Sequence, residues 1–285
     1  MTPGIGPALL AMVCFGAGDL IYKRAAAAGM ASRHVIMLQA WVFCPLMTLY
    51  ALARHGIVFE TQALWGALAG LVMFFAFYNF SQSLRTGSIS TNAPIFRLNF
   101  TLTAALAIWL LSESVTPLKI VGLTLALIAV WTLTRDAGKS PSAAALPNYG
   151  SLTRVLLATI AAGFGNLLYK IGLLAGSSPE TLLTAQALVF TSLATLFVWF
   201  TDGHIRPPKA GFRYGAPVGV TQLVAFIALL EGLAVGPASV LIPVAQLGFV
   251  FTAVFGRLVF GETLSWRKRG GLVVAVAALV ALAFS

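Results

Sequence analysis

Gly18-Asp19-Leu20-Ile21-Tyr22-Lys23 returns 147 residues further on as Gly165-Asn166-Leu167-Leu168-Tyr169-Lys170. The same offset carries Gly29 onto Gly176 and Gln39 onto Gln186. An offset of 149 serves the later part of each copy: Gly66 and Gly70 fall on Gly215 and Gly219, Gly87 on Gly236, Ser90 on Ser239 and Pro94 on Pro243. Thr103 then falls on Thr252, Glu113 on Glu262, Lys119 on Lys268 and Gly122 on Gly271. Glycines coincide easily in an apolar chain, but matched Tyr-Lys, Gln, Pro and Glu do not. Offsets that differ by two residues mean one small length change between copies of a single unit.

The unit is apolar. Of 285 residues 59% are hydrophobic and 9% charged, with a mean hydropathy of +0.92, whereas globular proteins carry about 25% charged residues. A charge-covered surface is hard to build from this chain, which excludes a cytosolic enzyme. A bilayer core about 30 Å thick takes roughly 20 helical residues. Ten apolar runs have about that length, at 5–22, 35–53, 62–83, 89–111, 116–134, 152–172, 180–200, 212–233, 238–260 and 266–284. The longest connection, 135–151, contains Pro141 and Pro147 and links an N-terminal repeat (1–134) to a C-terminal one (152–285). An odd number of spans per copy makes the second enter the membrane from the opposite side. The expected fold is all-α and integral to the membrane: ten transmembrane helices as two inverted five-helix repeats around a central cavity, a plan shared by secondary transporters.

A net charge of +10 suggests nucleic acid in a polar chain, but here the basic residues sit singly between apolar runs. Most fall in the odd-numbered connections, for example Lys23, Arg24 and Arg33, or Arg267, Lys268 and Arg269. The positive-inside rule puts these in the cytoplasm and both termini outside. The first run follows only Met1 to Pro3, without the basic stretch of a signal peptide, and is expected to remain as the first span. Cys14 and Cys44 lie in apolar runs, and His34, His55 and His204 read as solvated loop residues without metal-ligand spacing. No metal or cofactor is expected. No Gly-x-x-x-x-Gly-Lys-Ser/Thr occurs, so ATP is not the driver, and no catalytic constellation lies in the spans.

Asn92, Phe96, Asn99 and Thr103 form one stripe on the fourth span, and Phe75, Tyr78, Asn79 and Gln82 a similar one on the third. A polar stripe is costly against lipid. With Gln222, Phe226, Gln246 and Phe249 from the second half, these are the expected lining of an aromatic-and-amide cavity, with interhelical hydrogen bonding as the competing use. Asp19 has either a transport role or a local pairing with Lys23 at i+4, and its equivalent Asn166 shows that a polar group is wanted in both halves. Arg97 is expected to snorkel to the cytoplasmic surface. Glu113 and Glu262 are expected to tie helix ends to neighbouring connections. The Gly-x-x-x-Gly pairs allow close helix approach, and Pro94 and Pro243 are candidate hinges.

Leu111-Ser112-Glu113 and Phe260-Gly261-Glu262 are each followed, nine residues after the glutamate, by Gly122 and Gly271. Before the ninth span runs Leu233-Ala234-Val235-Gly236-Pro237-Ala238-Ser239, with Pro243 beyond it. Over essentially its whole length the chain resembles the drug/metabolite transporter superfamily, in particular the EamA-type exporters and, within these, the YddG-type amino-acid exporters. The resemblance implies a cavity surrounded by spans 1, 3, 4, 6, 8 and 9 and efflux by alternating opening. The first half departs from the pattern at Ser88-Ile89-Ser90, where the second has Pro237-Ala238-Ser239. The coupling carboxylate of the small four-helix relatives falls near Phe15 and Ala162, neither of which carries a proton. The expectation is an inner-membrane exporter of small metabolites, most of all aromatic or neutral amino acids, driven by a gradient. A proton-coupled multidrug or metabolite exporter and a channel-type pore stay open beside it. Its partners are a small-molecule substrate and the lipid bilayer, not nucleic acid; oligomeric state is left open.

Overall fold

Where no water is at hand, backbone polar groups must bond within their own segment, which makes helices of apolar runs. The computed structural model describes residues 1–54, 61–86, 92, 95–135, 149–248, 250–251 and 266–285, and no strand occurs among them. The helices bounded there are α1 (Ile5–Ala27), α2 (Ser32–Arg54), α3 (Ala63–Thr86), α4 (Asn99–Leu110), α5 (Pro117–Arg135), α6 (Tyr149–Leu174), α7 (Pro179–Asp202), α8 (Phe212–Val235), α9 (Ala238–Gln246) and α10 (Trp266–Ala283). Six described stretches are long and apolar enough to cross a membrane: Ile5–Ala27, Ser32–Arg54, Ala63–Leu84, Tyr149–Leu174, Pro179–Asp202 and Lys209–Val235. Ile95–Leu110, Pro117–Thr132 and Arg269–Ala283 are shorter apolar helices. Leu49, Leu71, Trp109, Trp131 and Val273 stand exposed on the outside, as a lipid-facing surface requires. The expected spans 89–111 and 238–260 are described only in part, and Pro94, Phe249 and Glu262 lie outside the described residues.

Local sequence sets the corners. Gly29 after α1 and its equivalent Gly176 after α6 both have positive φ, 72° and 92°, a backbone shape that favours glycine. Ser178 caps α7 by accepting from Thr181 N at 3.1 Å, with Pro179 in the first turn. At the far ends of the chain, Thr2 N donates to Ala283 O at 2.8 Å, so both termini meet at one end of the molecule.

The packing obeys the repeat. α1 packs on α8 and its equivalent α6 on α3; α2 packs on α8 and α7 on α3; α4 meets α9 and α5 meets α10. Equivalent helices α2 and α7 run antiparallel, since Arg33 Nη2 lies 2.8 Å from Asp202 Oδ1, Trp41 Nε1 donates to Thr195 Oγ1 at 2.9 Å, and Arg54 approaches Glu180 at 3.8 Å. His34 is drawn into the first of these contacts, its Nε2 2.7 Å from Asp202 Oδ2. The expectation of a solvated His34 is thereby corrected: the end of α7 comes within reach of the start of α2.

The two Gly-x-x-x-Gly pairs carry close helix contacts. A Cβ on Gly66 would sit 2.3 Å from Leu182 O, and one on Gly70 2.7 Å from Gln186 O, so α3 and α7 touch backbone to backbone. In the equivalent contact a Cβ on Gly215 would meet Leu38 Cβ at 2.4 Å and one on Gly219 would meet Gln39 O at 2.8 Å. Small residues let helices approach this closely in a membrane, where dispersion and hydrogen bonds drive association.

Candidate functional site

Continuing each glycine stripe by helical spacing leads to the centre. On α3 it runs Gly66, Gly70, Met73, Phe77, and on α8 Gly215, Gly219, Gln222, Phe226. Phe77 and Phe226 are repeat equivalents, and their rings meet edge to face at 6.5 Å. Residues that touch their own equivalents must flank the axis relating the halves.

Two narrow hollows lie along that axis and share these rings. One is lined by the equivalent pairs Gln39 and Gln186, Ala40 and Ala187, and Phe43 and Phe190, with Thr191 beside them. Its glutamines are held alike: Tyr22 donates its hydroxyl to Gln39 Oε1, and Tyr169 does so to Gln186 Oε1 at 2.8 Å. Removing either hydroxyl leaves a buried amide oxygen short of a donor. Tyr169→Phe and Tyr22→Phe are each expected to cost about 1 kcal/mol, read as matching drops in the melting temperature of the purified protein. A loss confined to one half would break the equivalence.

The other hollow is lined by Phe15, Asp19, Met73, Phe77, Phe96, Arg97, Asn99, Ala162, Asn166, Gln222, Phe226 and Gln246. Its free space, like that of the first, is on the order of a single water molecule. Admission of a solute therefore requires the halves to part. Arg97 lies at its heart: Nη1 donates to Gln246 Oε1 at 2.7 Å, and Nη2 is ion-paired with Asp19. Gln246 is the repeat equivalent of Arg97, so this contact too spans the axis. In the second half Asn166, the equivalent of Asp19, donates to Asn99 Oδ1 at 3.1 Å.

These positions correct two expectations. The ion pair of Asp19 runs across the helix interface to Arg97, which replaces the local pairing with Lys23, one of the two uses expected of it. Arg97 does not snorkel; only 4% exposed, it points inward because a carboxylate and an amide await it there.

Of the expected lining, Phe96, Asn99, Gln222, Phe226 and Gln246 border this hollow, as do Asp19 and Asn166. The α3 stripe is corrected. Phe75 is 45% exposed and faces outward. Tyr78 packs on Phe197 of α7, its ring centroid 4.6 Å away, and Gln82 donates to its hydroxyl. Asn79 donates to Phe75 O at 2.9 Å within its own helix. Asn92 donates to Ser83 O and Ser151 Oγ, and Thr103 to Asn99 O and Gly163 O. These polar groups serve helix packing and border neither hollow. Sequence reasoning missed Met73 and Phe77, which the spacing from Gly66 and Gly70 points to, and placed Arg97 at the surface.

A second polar cluster clamps the break between α8 and α9. Glu113, turned by Ser112 at a positive φ of 53°, accepts from Ala238 N at 2.7 Å, from Ser239 N at 2.9 Å and from Ser239 Oγ. A carboxylate at a helix N-terminus satisfies orphan amides and opposes the helix dipole. Lys170 Nζ donates to Leu233 O and Gly236 O, both at 2.8 Å, at the carbonyl end of α8. Lys119 Nζ donates to Ser239 Oγ at 2.9 Å. Glu113 thus ties a helix end to its neighbour as its place after the fourth span implies. Pro243 is buried in α9 three residues before Gln246.

Residues 2–135 and 151–284 each match the model of the EamA-like transporter family. No curated protein matches the chain. A solved structure titled only "Crystal structure of protein" superposes on it with a TM-score of 0.70, covering 96% of each chain at 17% identity, a likeness of fold.

Proposed function

The chain belongs to the EamA-like transporter family, and from that premise we propose that it is an inner-membrane exporter of neutral or aromatic amino acids working by alternating access. The proposed membrane assembly is ten spans in two inverted repeats, 1–134 and 152–285, joined by 135–151. The observation that carries the proposal is the Arg97 to Gln246 contact, in which two repeat equivalents bond across a hollow lined by phenylalanine rings and amides. A hollow on the axis has the same relation to both halves, so exchange of their conformations opens it first to one side and then to the other. Apolar rings with few polar groups suit a small amphipathic solute. The free energy comes from the substrate gradient. Proton-coupled export is the second reading, favoured by the Asp19 carboxylate in the hollow.

Proteoliposomes loaded with labelled amino acids, nucleosides and cationic dyes test this. Efflux of neutral or aromatic amino acids, at a rate unchanged when the pH gradient is collapsed, is the expected result. Dyes that move while amino acids stay would overturn the substrate assignment, and efflux that stops without the gradient would give the second reading its place.

A further inference from the structure

We infer that Asp19 and Arg97 read the two charges of a zwitterion. The carboxylate docks on the Arg97 guanidinium, the ammonium between Asp19 and Gln222, and an apolar side chain against Phe77 and Phe226. The inference rests on reading the hollow as the solute site of an amino-acid exporter.

The first support comes from the repeat. At the positions equivalent to Asp19 and Arg97 the second half has Asn166 and Gln246, and Asn166 finds a neutral partner in Asn99. The position equivalent to Asp19 is therefore satisfied without charge. A buried ion pair must offset the desolvation of both ions and is weak evidence for a stabilising role. Its presence in one half alone points to a charged visitor.

The second support is a pair of orphans. Arg97 Nε and Gln222 Oε1 are buried without a hydrogen-bond partner, on residues 4% and 2% exposed that border the same hollow. One is a donor and the other an acceptor. A guanidinium presents its donors as a planar fork that matches a carboxylate, and here Nη1 is engaged by Gln246, Nη2 by Asp19, and Nε is open. A solute carboxylate that takes Nε and displaces Asp19 from Nη2 leaves the Asp19 carboxylate for the solute's ammonium, with Gln222 Oε1 as a second acceptor. The charges balance before and after. A lone acid or a lone amine leaves one member of the pair unmatched among phenylalanines, which is costly.

The test uses the full chain in lipid nanodiscs and equilibrium binding of L-leucine and L-phenylalanine. Two analogues accompany them: 4-methylpentanoate, which lacks leucine's ammonium, and 3-methylbutylamine, which lacks its carboxylate. The variants are Asp19→Asn, Arg97→Gln and the double D19N/R97Q, which takes the neutral side chains of the second half and keeps the test open if a lone charge prevents folding. The unaltered protein is expected to bind a zwitterion at least about tenfold more tightly than either analogue, and R97Q and the double variant to lose at least about tenfold. D19N is expected to shift preference toward 4-methylpentanoate. Zwitterions that bind the double variant as tightly as the unaltered protein would make the pair structural only, with amino-acid export intact. If no zwitterion binds the unaltered protein, the amino-acid reading falls and this inference with it.

Discussion

Gly66→Leu and its equivalent Gly215→Leu are each expected to abolish efflux and to remove the monodisperse folded protein from detergent extracts. The cause is geometric. The new Cβ would lie 2.3 Å from Leu182 O at Gly66 and 2.4 Å from Leu38 Cβ at Gly215. At Gly66 the neighbour is backbone, so no rotamer change relieves the clash. Overpacking ordinarily costs about 1–3 kcal/mol, and a contact of backbone on both sides belongs at or beyond the top of that range. Against a total stability of about 5–15 kcal/mol this leaves little. Gly6→Leu is the control: a Cβ there meets nothing within 4 Å, so its effect is expected to stay within about 0.5 kcal/mol. Size-exclusion profiles and melting curves of the three variants decide the matter. A well-folded, active Gly66→Leu protein would show that α3 and α7 do not approach as described.

Glu113→Ala is expected to be nearly as damaging. It removes the acceptor of two backbone amides and one hydroxyl at the start of α9. Donors left without partners cost about 1–3 kcal/mol each when buried, and the lost helix-end charge adds to that. A loss of about 3 kcal/mol is expected, seen as a large fall in melting temperature. Glu113→Gln keeps an acceptor oxygen and is expected to lose less. Lys170→Met, which strips the donor from Leu233 O and Gly236 O at the end of α8, is expected to fall between them. Equal behaviour of Glu113→Ala and Glu113→Gln would count against the capping role.

Much of this was legible from the two offsets alone. Tyr22 with Gln39 and Tyr169 with Gln186 coincide in sequence, and each hydroxyl does hold the matching glutamine. The Gly-x-x-x-Gly pairs and Glu113 carried their meaning in spacing and position, because a helix end and a close helix contact are local affairs. The lining of the hollow was not legible to the same degree. Helical periodicity says which residues share a face but not which face meets which neighbour. On α3 the polar face is the conspicuous one, yet Gln82 donates to Tyr78 of the same helix, Asn79 donates to Phe75 O and accepts from Arg154 of α6, and the axis is met by Met73 and Phe77. Arg97 was misplaced for the same reason. A cation near a helix end snorkels unless a carboxylate waits inside, and Asp19 lies 78 residues away in the chain.

Counterflow tests the central claim most directly. Proteoliposomes are loaded with labelled amino acid, diluted into label-free buffer, and followed with or without unlabelled amino acid outside. A hollow that faces one side at a time must return before it carries again, and a loaded return is the faster route. External substrate is therefore expected to accelerate the exit of label, saturably. Exit that is indifferent to external substrate, or that rises linearly without saturation, would mean a pore open at both ends and would contradict alternating halves.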